Sequence, residues 1–375
     1  MLLFPQKDDV KSAQNEKAFY VLSSRKVINE ELSQLLRLAG FNQVTSVLQD
    51  LDSNPNLAIS EKDYGIVIDI GRQEYIDNIV PAILAMVPRG VWCCVVGDSD
   101  SIMLAQAFLR DGIQYFNLNS QRELFVQSAI SSTNLKSMRW AVSISILGCK
   151  GGVGNSSIAY QTISNIVQAK AMPSLFVQGA NGSRDLDLLT GKKMVQEIVA
   201  GQKNLDLMSS GSQLYPDLSL DSFQKYNFVL FEEAINTANK ETLRQLVESS
   251  SCLVLVMDRS MASVRVARGM IEVVESLNRS QLAPRRLFIC LNDSRPFSMN
   301  MLSIEDLQSL LGRPLDVVFP YNKQKEGVTR FVGLSRKIAP IDQLTRLILG
   351  GAPIHKGSLI NRLVKNGLLK KSQVA

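Results

Sequence analysis

Histidine is almost absent from this 375-residue chain; His355 is the only one. That excludes a Ser-His-Asp triad, a histidine base and a histidine-rich metal centre. Cysteine is scarce too. Cys93, Cys94, Cys149, Cys252 and Cys290 form no C-x-x-C pair. Four lie in apolar, strand-like runs, so buried thiols are expected rather than a metal site or disulfides. No apolar run approaches the roughly 18 residues of a membrane span. The opening M-L-L-F-P-Q-K-D-D-V-K is too short and too acidic for a signal peptide, so a cytoplasmic chain is expected. Charge of one sign is also limited: a net +6 is mildly basic and implies no nucleic-acid partner.

What the chain does have is 45% hydrophobic and 20% charged residues, enough for two or three packed domains. Strand-like and helix-like segments alternate throughout, which predicts an α/β fold of parallel sheets flanked by helices. In the first part, K-A-F-Y-V-L-S-S (17–24), a weaker run at 43–48, Y-G-I-V-I-D-I-G (64–71), G-V-W-C-C-V-V-G-D (90–98) and I-Q-Y-F-N-L-N (113–119) read as strands. Ile28, Leu32, Leu35 and Ala39 share one helical face that stops at Gly40. A later helix carries Leu104, Ala107 and Phe108, and Ser120 is the expected N-cap of the last. Five β/α units in this span fit a flavodoxin-like, receiver-type domain. Its phosphoacceptor candidate is Asp69. Ser23 and Ser24 replace the acidic metal ligands after the first strand, and Asn117 and Asn119 replace the lysine ending the fifth. Phosphoryl transfer to Asp69 then lacks charge compensation, so an inert interaction domain is expected, with a modified phosphoacceptor as the alternative.

S-S-T-N-L-K-S-M-R-W (131–140) reads as a linker. After it, the strand A-V-S-I-S-I-L-G (141–148) runs into G-C-K-G-G-V-G-N-S-S (148–157) and then a helix with Ile158, Ala159, Ile163, Ile166 and Val167 as its buried stripe. Strand, glycine loop and helix in that order are what a phosphate-binding loop needs. Glycines allow the tight turn, backbone N–H groups face an anion, and the helix N-terminus adds partial positive charge.

K-G-G-V-G-N-S-S resembles the deviant Walker A loop of the MinD/ParA superfamily. S-L-F-V-Q-G-A-N-G-S-R-D-L-D-L-L-T-G (174–191), C-L-V-L-V-M-D (252–258), R-L-F-I-C-L-N-D (286–293) and V-V-F-P-Y-N (317–322) resemble its later strands in order. A receiver-like domain in front is similar to the TadZ/CpaE branch, the localisation factors of tight-adherence (Flp) pilus systems. The resemblance implies a nucleotide site of Lys150, Gly151, Gly152, Val153, Gly154, Asn155, Ser156, Ser157, Asn292 (adenine) and Pro320, with ATP or ADP. Magnesium would sit at Ser156 and Glu232. It also implies a homodimer in which Lys150 reaches the partner's nucleotide, recruitment of the pilus secretion machinery including its ATPase, and a position at a cell pole. On this reading the chain divides into an N-terminal tail (1–16), a receiver-like domain (17–135), a MinD/ParA-like domain (136–350) and a basic C-terminal tail (351–375).

Four positions depart from the family. Asn155 stands where the loop lysine binds the β- and γ-phosphates, a loss of about 1.5–3 kcal/mol in one charge-assisted bond. Gln178 and Ala180 replace an aspartate pair of which one carboxylate orients the attacking water, a group typically worth about 10²–10⁴ in rate. Glu232, beside Glu233, replaces the Walker B aspartate. A degenerate, non-hydrolysing scaffold is the expectation. Its loop is either a retained nucleotide cradle or a glycine turn kept for fold and dimer packing. A slow ATPase using Lys150 and a DNA-partition protein are the rivals. G-S-L-I-N-R-L-V-K-N-G-L-L-K-K (357–371) could pack on the domain, bind a partner or lie on an anionic membrane surface.

Overall fold

The computed structural model describes residues 18–51, 57, 59–73, 76–131, 139–194, 197–212, 214–279, 286–321 and 339–351. Its first part contains β1 (Phe19–Leu22), α1 (Lys26–Leu38), β2 (Val44–Val47), β3 (Gly65–Asp69), α2 (Ile76–Met86), β4 (Trp92–Gly97), α3 (Ile102–Arg110), β5 (Gln114–Asn117) and α4 (Arg122–Ser131). The five strands are parallel in the order β2-β1-β3-β4-β5. That is the flavodoxin-like order the strand pattern predicts. Alternation along the strands feeds two apolar layers. Phe19, Val21 and Val67 pack with Leu32 and Phe125 on one face, and Ile66, Ile68 and Val95 with Ile83 and Phe108 on the other.

Two details differ from expectation. Among the described residues no helix joins β2 to β3, so the sheet has four helices rather than five. Ser120 does not cap α4. Asn117 Oδ1 accepts from the N–H groups of Asn119 (2.9 Å) and Ser120 (3.2 Å), folding 117–120 into a turn, and the helix begins only at Arg122.

The second part contains β6 (Val142–Gly148), α5 (Asn155–Lys170), β7 (Ser174–Gln178), α6 (Leu186–Thr190), β8 (Ile198–Gln202), β9 (Leu205–Ser209), β10 (Phe228–Ala234), α7 (Lys240–Ser249), β11 (Cys252–Met257), α8 (Met261–Arg279), β12 (Arg286–Asn292), α9 (Ile304–Leu311), β13 (Val317–Phe319) and α10 (Pro340–Ile348). The strand order is β13-β12-β11-β6-β10-β7-β9-β8. All pairs are parallel except the β8/β9 hairpin at one edge, which the sequence reading missed. Central strands such as C-L-V-L-V-M are buried on both faces, which explains their continuous apolar runs. The five thiols are free and buried, and burial pushes Cys149, beside the glycine loop, up to about 12.

The chain is thus α/β, with one parallel sheet and a second that is parallel except for the β8/β9 edge. Of the expected linker, α4 occupies the start and Arg139 is buried at 3% exposure. Residues 132–138 and the tail stretch 357–371 lie outside the described residues.

Candidate functional site

The glycine loop spans Cys149–Gly154 between β6 and α5 at the carboxyl edge of the second sheet. Gly152 and Gly154 have φ of +75° and +80°, a region that suits glycine. A Cβ on Gly154 would also lie 2.5 Å from Asn292 Nδ2. A Cβ on Gly151 or Gly152 would meet nothing within 4 Å, so the crown of the loop is open. Asn292, expected at an adenine, donates to Val153 O at 2.8 Å and ties β12 to the loop. Pro320 is exposed just after β13, whose Phe319 is in register with Asn292. Ser157 is exposed on α5.

Asn155 opens α5 and is buried. Its Nδ2 donates to Glu232 Oε1 (2.8 Å), Glu233 O (3.2 Å) and Ile146 O (3.3 Å), which shares two protons among three acceptors. The resemblance places Asn155 in the nucleotide loop; in the structure its amide is spent on the sheet beneath.

Strand alternation explains what it meets. Glu232 is in register with Ile146 and Gln178, on the α5 side of β10. Glu233 falls on the other side, yet its Oε1 accepts from Ala234 N (2.7 Å) and Asn181 N (2.9 Å). Glu232 Oε1 also accepts from Ser156 Oγ at 3.1 Å. Ser156 shares a 2.9 Å bond with Ser183, and Gln178 Nε2 donates to Asp185 at 3.3 Å. Burial pushes both glutamates upward, with Asp185 adding repulsion at Glu232 and Glu232 adding it at Glu233. Ala180 contributes only backbone, accepting from Arg184 Nε and donating to Ser212 O. The segment over these carboxyls needs glycine: a Cβ on Gly179 would come within 2.3 Å of Glu233 Oε2 and 2.9 Å of Glu232 O.

Asn155, Ser156, Gln178 and Glu232 therefore belong to one hydrogen-bonded network, Gln178 joining it through Asp185 and Ser183, whereas Lys150 stands apart. Its Nζ pairs with Asp258 Oδ2 at 2.9 Å and contacts Ser260 Oγ at 3.4 Å. This contact is to its own chain. Burial pushes Asp258 up, but hydrogen bonds from Ser260, Ser263 and Lys150 outweigh it and hold the carboxyl at about 2. The folded value lies below the ordinary 3.8, so the stabilisation is present above that pH and is lost as pH falls toward 2. Asp258→Asn should cost about 2 kcal/mol at pH 6, and the difference from the native chain should close by pH 2 in urea titrations. A gap constant across that range would show that the pairing contributes nothing.

The residues present fit a bound nucleotide in part. The open glycine crown ahead of a long helix suits an anion, and Ser156 with Glu232 supplies oxygen donors of the kind magnesium takes. No side-chain cation among the described residues bonds to the Asn155–Glu232 network, however.

The acidic site of the first sheet is also filled from within. Asp69, at the end of β3, accepts from Arg25 Nε (2.9 Å) and Nη2, from Ser23 Oγ (2.6 Å) and from Gly71 N (2.9 Å). Arg25 Nη1 spans both oxygens of Asp98 at 3.0 and 2.7 Å. Sequence reasoning missed Arg25 and Asp98 and left Asp69 without a compensating charge; the structure supplies that charge as a guanidinium. The available signal was S-S-R directly after β1 and G-D after β4, both at strand ends that parallel packing brings together.

No protein-family model matches the chain, and no curated protein matches it. Solved structures do resemble it. A ParA family ATPase from Chlorobium tepidum TLS is 18% identical over 49% of this chain and 86% of its own, with a TM-score of 0.38. The MinD cell division protein of Aquifex aeolicus is 17% identical over 48% and 83%, with a TM-score of 0.33. A pilus assembly-related protein from Burkholderia pseudomallei K96243 is 14% identical over 37% and 98%, with a TM-score of 0.29. At these identities and scores, none of the likenesses assigns an activity to this chain.

Proposed function

We propose that the chain is a non-enzymatic localisation and scaffold factor built on a degenerate MinD/ParA-like domain, of the TadZ/CpaE kind that serves tight-adherence pilus assembly. On this reading residues 17–135 supply interaction surface and 136–350 a homodimer interface. The assembly marks a cell pole and recruits the secretion machinery with its ATPase. The observation that carries the reading is Asn155. The residue at the catalytic-lysine position bonds to Glu232 and to strand carbonyls, so the loop keeps its backbone shape without a side-chain charge to hold or transfer a γ-phosphate. Gln178 and Ala180 stand in place of the family's aspartate pair, which includes the water-orienting carboxylate. The order of receiver-like and loop-bearing parts, and the retained Lys150, support the finer family placement.

The test pairs phosphate release with localisation. The native chain should release phosphate from ATP at the no-protein background and no faster than Lys150→Ala, while a fluorescent fusion forms a focus at one pole. Release above background that disappears in Lys150→Ala would replace the scaffold with a slow ATPase switch. A fusion spread evenly through the cell would remove the localisation role.

A further inference from the structure

The two sheets meet through a pair of arginines, not through either glycine-loop or aspartate site. Arg139 is buried, and its guanidinium donates only to backbone carbonyls just past α2: those of Pro88 and Val91, with Arg89 O at 3.1 Å and Val87 O at 3.4 Å. Arg89 returns the contact. Its Nε donates to Arg139 O at 2.6 Å, and its Nη1 reaches Gln224 O (2.8 Å), Phe223 O and Tyr226 O (both 3.4 Å). Each guanidinium thus holds the other residue's carbonyl. Gly112 lets Arg139 settle: a Cβ there would lie 3.0 Å from Arg139 N, Cα and Cγ. Among the described residues neither arginine pairs with a carboxylate, and burial lowers both pKa values, with Arg89 adding repulsion at Arg139. Two like charges held by carbonyls alone are costly to bury. Losing any of these carbonyls would leave a guanidinium short of a partner.

Direction follows from strand polarity. Residues 87–91 precede β4, and 223–227 precede β10. Each therefore lies at the amino edge of its parallel sheet. Ala85 of α2 is buried in the same apolar cluster as Val142 and Phe228, the first residues of β6 and β10. A cleft of about 630 Å³ beside the clasp is lined by Ile59, Met86 and Pro88 from the first part and by Lys170, Met172 and Asn204 from the second, again residues before or between strands. Amino edge docks on amino edge. The carboxyl edges, where open α/β sheets present their binding loops, carry the Asp69–Arg25 cluster and the glycine loop and face away from each other.

We propose that the Arg89–Arg139 clasp makes the two parts one rigid body, their carboxyl edges turned away from each other, with no swing of the first part over the glycine loop. Spin labels on full-length protein test it, at Leu38→Cys, 85% exposed on the first part, and Glu275→Cys on α8. The native thiols are buried and should stay unlabelled. The expected result is one narrow distance distribution in the otherwise native chain, with at least a twofold broadening in Arg89→Ala. Arg89→Lys should broaden it too, because one ammonium cannot span four carbonyls. A broad or multi-peaked distribution without the arginine change would overturn the proposal, and so would an unchanged width in Arg89→Ala with native circular dichroism.

Discussion

Arg25→Ala is expected to lower the unfolding free energy by about 2–3 kcal/mol, read as a drop in the urea midpoint with an unchanged slope. The change leaves the Asp69 carboxylate, 1% exposed on its side chain, without the guanidinium that meets both its oxygens. Breaking a fully buried pair costs about 3–5 kcal/mol. The smaller figure reflects the 34% exposure of the Arg25 side chain and the donors that remain, Ser23 Oγ and Gly71 N. Arg25→Lys should recover only part of the loss, since a point charge cannot serve Asp69 and Asp98 together. Adding Asp69→Asn to Arg25→Ala should recover more, because the stranded charge is gone. Equal stability of Arg25→Ala and the native chain would mean that the cluster is incidental.

Asn155→Lys is expected to tighten ATP binding about 10- to 150-fold by calorimetry, the equivalent of one charge-assisted bond of about 1.5–3 kcal/mol. The new ammonium would sit at the first residue of α5, beside Glu232 and below the open crown of Gly151 and Gly152. Asn155→Met, of similar reach but uncharged, should give no gain. Hydrolysis should stay at background in Asn155→Lys, because Gln178 and Ala180 still cannot orient water. Unchanged affinity would show that the loop is a turn and not a phosphate cradle.

Much of this molecule was readable from one strand at a time. Buried runs such as C-L-V-L-V-M and the strand–glycine–helix order at 142–170 are local signals, and they located both sheets and the loop. The internal ligands were not local. Arg25 meets Asp69 and Asp98 only because parallel packing gathers strand ends 44 and 73 residues away. Asn155 looked available to a phosphate until β10 set Glu232 directly under it. Arg139 sits among linker-like residues with nothing in S-M-R-W to announce burial; its site is made by Gly112 and the carbonyls after α2. The β8/β9 hairpin escaped notice because I-V-A-G-Q and L-D-L-M-S are short, and glycine interrupts the first.

That hairpin limits how copies of the chain can join. At β8 the pairing slips between Ala200 and Gln202, and Gly201 presses on Leu207 so closely that a Cβ would come within 2.9 Å of its Cγ. The outer strand is bent and short, a poor template for another strand. At the opposite border β13 has three residues and is followed by Pro320, which has no N–H to offer. Among the described residues, neither border of the larger sheet invites continuation from molecule to molecule. Copies of this chain should therefore meet through faces other than a cross-strand seam.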